Sequence, residues 1–252
     1  MAGPLRAQEW LLPSEIVAGQ SLIYDGRFSA ALLYFSRLAE SRPRDPAGPT
    51  LAAAALIWWG EASGDERLLA DSVEALLADG AARAAAAIPE AASDSARLRL
   101  EFWLGSAHAF QARQAELLGR PWRAARQAGR MRAALERALA IDSTCIDCQL
   151  GLAMYEYGLA RASALARLVA RIVGLGGGNV ERALAGFRLV AERGTYTRAE
   201  ARWLYANALF REAARDAAYR EEALRVIGAL ADEHPGNPLF RRFRHGPPPA
   251  EP

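Results

Sequence analysis

The chain has 252 residues, 52% of them hydrophobic and 24% charged, with a formal net charge of +2. This is the profile of a folded protein long enough to bury a core, and it excludes a disordered or collagen-like chain. Alanine supplies about 22% of the residues, glycine and proline sit in clusters and β-branched residues are scarce, so helix is the default and little or no sheet is expected. All 31 basic residues are arginine. That removes every mechanism built on a lysine amine: the Walker A phosphate loop, the kinase strand lysine and the pyridoxal Schiff base.

The start, Met1 to Gln8, lacks the apolar core of a signal peptide, and no run of 18 or more uncharged apolar residues occurs. As written, a cytoplasmic chain is expected, or a periplasmic one if this start is a processed end. An N-terminal extension over 1–12 precedes the first periodic segment. From Pro13 to Pro43 the spacing predicts two helices. Ser14 is the expected N-cap of the first, which carries Ile16, Gly19, Leu22 and Ile23 and closes at Asp25-Gly26. The second carries Phe28, Ala31, Phe35 and Leu38 at offsets 2, 5, 9 and 12 from Gly26, with Pro43 as the stop at offset 17.

These offsets recur. Ala223, Ile227, Leu230 and Pro235 repeat the steps from Ala31 to Pro43, Met131, Leu135, Ala138 and Ser143 repeat them with serine for proline, and Gly178, Val180, Ala183, Phe187 and Val190 repeat the first five positions. Recurrence of a helical hairpin at a period of about 34 residues is the mark of stacked repeats. Pro49 to Ile88 reads as a further hairpin whose alanine-rich Ala81 to Ala87 fits several registers.

The Gly-x-Phe-x-x-Ala-x-x-x-Phe run from Gly26 to Phe35, the Ala-Leu-x-Ile-Asp run from Ala138 to Asp142 and the His-Pro-Gly-Asn-Pro run from His234 to Pro238 carry a resemblance to the tetratricopeptide repeat family. It covers about residues 12 to 243. Trp58-Trp59, Phe102-Trp103-Leu104-Gly105, the insertion from Ala160 to Gly178 and the Gly-Gly-Asn before Glu181-Arg182 are similar to a divergent branch. That branch holds bacterial proteins without assigned function and, more distantly, the eukaryotic inclusion-body clearance proteins. The resemblance implies an all-α, right-handed superhelical stack of antiparallel hairpins over 13–243, and a binding module without catalytic residues to carry over.

Within it, an amphipathic insertion is expected over about 159–178. No acidic residue occurs from Tyr157 to Val180, and Leu159, Leu165, Leu168, Val169, Ile172, Val173 and Leu175 alternate with Arg161, Arg167 and Arg171. Residues 244–252 read as a loose Pro-rich tail.

Several constellations invite chemistry. Cys145 and Cys148 form a candidate redox pair if the first lies at a helix N-terminus, where Asp142-Ser143-Thr144 resembles a helix start; the alternatives are small packing residues or half of a metal site. Gly174 to Asn179 reads as a turn closing the insertion, with an anion-binding loop as the alternative. Glu101 and His108 share a helix seven residues apart, an acid-base pair on one reading and groove lining on the other. Residues 60–101 carry nine acids against four arginines, and 112–132 six arginines against one acid, including a stripe of Arg123, Arg126 and Arg130. A solvated face or mutual neutralisation of adjacent hairpins accounts for these, and nucleic acid is not an expected partner at +2 overall.

The expected site is therefore the concave groove. Aromatic anchors Trp59, Trp103, Tyr155, Trp203 and Tyr205, with His108 and the arginine clamps Arg97, Arg123 and Arg202, bind a protein or peptide segment; no cofactor, metal or catalytic residue is assigned. The alternative is a peripheral lipid or membrane-surface protein that uses the insertion. The sequence is silent on oligomeric state.

Overall fold

The computed structural model describes residues 10–67, 69–172 and 174–247. Residues 1–9 of the expected extension, Val173 of the insertion and 248–252 of the expected tail lie outside them. Among the described residues 78% are helical and no strand occurs. In order the helices are α1 (Pro13–Tyr24), α2 (Phe28–Ser41), α3 (Ala47–Ser63), α4 (Ala70–Ala87), α5 (Asp94–Leu117), α6 (Pro121–Ile141), α7 (Cys148–Arg161), α8 (Ala164–Ile172), α9 (Val180–Arg193), α10 (Arg198–Glu212), α11 (Ala217–Glu233) and α12 (Pro238–Phe243). α1 packs on α2, α3 on α4, α5 on α6, α7 on α9 and α10 on α11, and in four cases the second helix of a pair also packs on the first helix of the next.

The recurring offsets fall on α2, α6, α9 and α11 because that spacing keeps one stripe of each facing its neighbours. Ala31 and Phe35, Met131, Leu135 and Ala138, Ala183, Phe187 and Val190, and Ala223, Ile227 and Leu230 are all buried. Gly19 shows why a small residue is needed where helices cross: a Cβ there would lie 2.2 Å from the ring of Phe35. The alanine-rich hairpin also has a definite register, with Val73, Leu77, Ala84 and Ala87 of α4 buried. Uniform alanine conceals it in the sequence because no large residue marks the buried stripe.

Local details correct the sequence reading in three places. Ser14 is not the N-cap of α1; the helix starts at Pro13, and the Glu15 carboxylate accepts the Leu12 N–H at 2.8 Å. Asp142-Ser143-Thr144 ends α6 as a turn in which Asp142 Oδ1 accepts from Thr144 N and Oγ1, so α7 begins at the second cysteine, not the first. The insertion is shorter than 159–178: residues to Arg161 belong to α7 and α8 spans only Ala164–Ile172, interrupting the fourth helical pair.

The two ends of the helical series meet. Gly26, in the left-handed region at φ 76°, faces the turn between α11 and α12, where a Cβ would lie 2.7 Å from the Gly236 carbonyl oxygen. His234 Nδ1 lies 2.8 Å from Asp25 Oδ1. Buried Asn237 caps α12 by accepting the Leu239 N–H at 2.9 Å, and its Nδ2 donates to the Tyr24 carbonyl of α1 at 2.9 Å. Above this contact Tyr24, Trp58, Trp203 and Phe240 form one aromatic cluster, with ring centroids 5.6 to 6.0 Å apart along its edges. Asn237→Ala is expected to lower stability by about 1 to 3 kcal/mol, since it removes a cap and strands a buried carbonyl; urea unfolding followed by circular dichroism measures it, and an unchanged midpoint counts against a structural role for this contact.

Candidate functional site

The nine residues expected to line an open groove divide into two groups. Trp103, His108, Tyr155, Trp203 and Tyr205 are buried. Trp203 packs on Trp58 and on Phe240 and Phe243 of α12, Trp103 packs edge-on against Phe102 at 5.0 Å, Tyr155 lies under the guanidinium of Arg132, and Tyr205 donates to Glu222 at 2.9 Å. The inner helical faces pack on one another here, so these side chains offer little area to a partner. The remaining four reach the surface. Arg97 is exposed, Arg123 pairs with Glu74 at 3.0 Å, Arg202 pairs with Glu233 at 2.7 Å, and Trp59 is 38% exposed.

Glu101 and His108 do not act on each other. Glu101 is buried and held by both nitrogens of a fork from Arg137, at 2.8 Å each. His108 Nδ1 lies 2.9 Å from Gln111 Oε1. Burial holds the imidazole below its usual range, so it is neutral near pH 7. The acid-rich and arginine-rich segments neutralise one another, as adjacent hairpins can. Glu74 of α4 receives Arg120 and Arg123 from the start of α6 and the turn before it, and Arg113 of α5 bridges Glu61 and Glu66.

The loop that resembles an anion site and the loop before α10 are both filled by carboxylates of the protein itself. Asp147, at the start of α7, accepts the backbone N–H groups of Thr195, Tyr196 and Thr197 and the Thr197 hydroxyl, at 2.7 to 3.2 Å, at the N-terminus of α10. Glu156 accepts the Asn179 N–H at 3.0 Å at the N-terminus of α9. The glycine run before it serves close approach: a Cβ at Gly178 would lie 2.0 Å from the Glu156 carbonyl oxygen. Cys145 and Cys148 are joined as a disulfide, with Cα atoms 5.4 Å apart, beside Asp147. Among the described residues no group of three or more His, Cys, Asp or Glu is placed to hold a metal ion.

Near the centre, Phe102, Ser106, Leu150, Met154, Thr197 and Glu200 border a cavity of about 40 Å³, room for a few waters and too small for a substrate. Burial, reinforced by Glu61 and opposed by Arg113, pushes the Glu200 carboxyl up to about 7. Glu61, whose Oε1 accepts the Trp203 indole N–H at 3.2 Å, is raised chiefly by burial as well. The sequence gives little warning of this acidic centre, because Glu61 and Glu200 stand 139 positions apart.

A larger opening lies elsewhere. Leu32 of α2, Leu56, Trp59, Gly60 and Ser63 of α3, Leu69, and Ser72 and Leu76 of α4 border a groove of about 440 Å³, within the size range of binding pockets. Trp58 and Trp59 explain it. Neighbours on a helix point about 100° apart, so Trp58 enters the core and Trp59 turns to this rim. Exposed Asp71 stands beside Ser72, and no ion pair involves it among the described residues.

Compared with known protein families and with characterised proteins, the chain matches none.

Two predictions follow from the buried charges. Arg137→Met leaves Glu101 buried without its cation and is expected to cost about 2 to 4 kcal/mol, discounted because the arginine is half exposed; adding Glu101→Met recovers much of that loss in urea unfolding. For Glu200, the folded carboxyl binds its proton more tightly than the unfolded one, whose value is 4.5, so stability falls as pH rises from about 4.5 to about 7. His108, lowered on folding, acts in the opposite sense below pH 6.5, so the comparison to make is against Glu200→Gln. The wild-type minus variant difference in unfolding free energy is expected to decline across that window, and a flat difference refutes the assignment.

Proposed function

We propose that this protein is a non-catalytic interaction scaffold of the tetratricopeptide kind, a right-handed stack of helical hairpins that docks a partner protein segment in the groove beneath Trp59. The observation that carries this reading is the groove itself. A tryptophan 38% exposed stands over aliphatic walls from three helices in a chain whose other paired aromatics are buried. Exposed tryptophan at a pocket rim is the side chain from which interfaces draw most of their affinity. The stack is supported by the recurring buried offsets and by the pairwise packing of successive helices.

The occupant is an amphipathic segment with an apolar face and a basic flank. Its apolar face matches Leu32, Leu56, Leu69 and Leu76, and its basic flank matches the exposed, unpaired Asp71, which adjoins the groove-lining Ser72 in α4. The non-catalytic reading is supported by the engagement of Glu101 with Arg137 and of His108 with Gln111.

Selection from a phage-displayed library of random 16-residue peptides tests the reading. The expected consensus carries aliphatic or aromatic residues at helical spacing with at least one Lys or Arg. Trp59→Ala is expected to weaken the selected peptides by about 2 kcal/mol, roughly thirtyfold in Kd, with the thermal midpoint little changed. A consensus lacking apolar anchors, or one bound equally well by Trp59→Ala, overturns it.

A further inference from the structure

A second surface is left without a partner, on the far side of the chain from the Trp59 groove in sequence and independent of it. α8 is attached through one side only: Val169 and Ala170 are buried, and the helix packs on α6. Leu165, Leu168 and Ile172 are 61%, 53% and 62% exposed. At about 100° per residue these three fall within an arc of about 60°, adjacent to the arc that holds Val169, while Arg171 and Arg167 lie about 60° to 100° beyond Leu168 on the other side. Passing round α8, the surface runs from the protein contact to a bare aliphatic stripe and then to guanidinium groups.

Charge decides what covers the stripe. No acidic residue occurs from Tyr157 to Val180, so no carboxylate on the insertion opposes approach of an anionic surface. α6, on which α8 rests, presents Arg126 and Arg130 at exposed positions. Among the described residues no acid lies within ion-pair distance of Arg126, Arg130 or Arg171. This contrasts with the arginines around the acid-rich half, where Arg113, Arg120 and Arg123 are each paired. Uncompensated arginines beside exposed aliphatic side chains fit a surface that offers phosphates and hydrocarbon together, whereas an apolar protein groove would supply only the second.

We propose that α8 docks the protein on an anionic lipid bilayer, with Leu165, Leu168 and Ile172 inserted at the headgroup boundary and Arg167 and Arg171 on lipid phosphates. The helix lies in the interface plane. With nine residues it is far too short to cross a bilayer, and among the described residues no helix is long and apolar enough to do so. The body of the protein stays in water, and Val169 and Ala170 hold α8 to α6 as a projecting pad.

The test is co-sedimentation of the full chain with vesicles of phosphatidylcholine, with and without phosphatidylglycerol. Binding is expected to the anionic vesicles at low salt, to fall steeply as salt rises, and to be absent with phosphatidylcholine alone. Leu165→Gln/Leu168→Gln/Ile172→Gln removes only exposed side chains, so it is expected to keep its circular dichroism melting profile and to lose binding. Arg167→Gln/Arg171→Gln is expected to reduce the partition coefficient by roughly fivefold for each arginine at low salt. The proposal is overturned if the protein stays in the supernatant with anionic vesicles, or if the triple variant sediments as the wild type does. It is equally overturned if ultracentrifugation shows a lipid-independent dimer that the triple variant dissolves, since the stripe is then covered by a second copy.

Discussion

The packing of this protein depends on the contact between its first interhelical turn and its last. Asp25-Gly26 and His234 to Asn237 meet backbone to backbone, and the approach leaves no room for a Cβ at Gly26 or Gly236. Asn237 satisfies the start of α12 with its oxygen and the Tyr24 carbonyl with its nitrogen. Because α12 is held there, Phe240 and Phe243 are delivered against Trp203, and Phe240 against Trp58. The faces that an open series of hairpins would leave concave thus become interior. Through α12 that contact turns the expected anchor Trp203 from ligand-binding surface to core.

Closing the interior has an electrostatic consequence. Carboxylates on the inward helical faces lose water, and the protein answers in three ways. Glu101 and Glu212 accept arginine forks, from Arg137 and from Arg161. Glu61 and Glu200 share the influence of Arg113, and burial outweighs it, so their carboxyl groups are displaced upward. Asp147 and Glu156 take a third route, at helix N-termini, where backbone N–H groups replace water. An arginine-only basic complement suits this interior, since a guanidinium fork stays charged and bonds both carboxylate oxygens.

What remains for function lies outside the closed core. Trp59 and α8 are both products of helical phase. In each case part of an apolar sequence run is drawn inward, Trp58 or Val169 and Ala170, and part is left facing out, Trp59 or Leu165, Leu168 and Ile172. The two surfaces differ in the charge near them, with exposed Asp71 adjoining groove-lining Ser72 in one case and arginines beside the α8 stripe in the other.

The sequence by itself determined the helices and their internal faces. Composition favoured helix throughout, the Gly26 to Pro43 offsets marked the buried stripe of α2, and the same offsets located those of α6, α9 and α11, because burial at a period of 3.6 residues is written locally. It also offered the neutralisation of the acidic segment by the basic one as one of two readings, since both lie on consecutive elements. Only the tertiary structure decided whether the inner faces stay open. That depends on how the pairwise packing angles accumulate over the series until α12 meets α1 and α3, a sum to which every interface contributes and which no local pattern encodes. The burial of Trp203 and the upward displacement of Glu200 follow from that closure, and for the same reason neither was legible residue by residue.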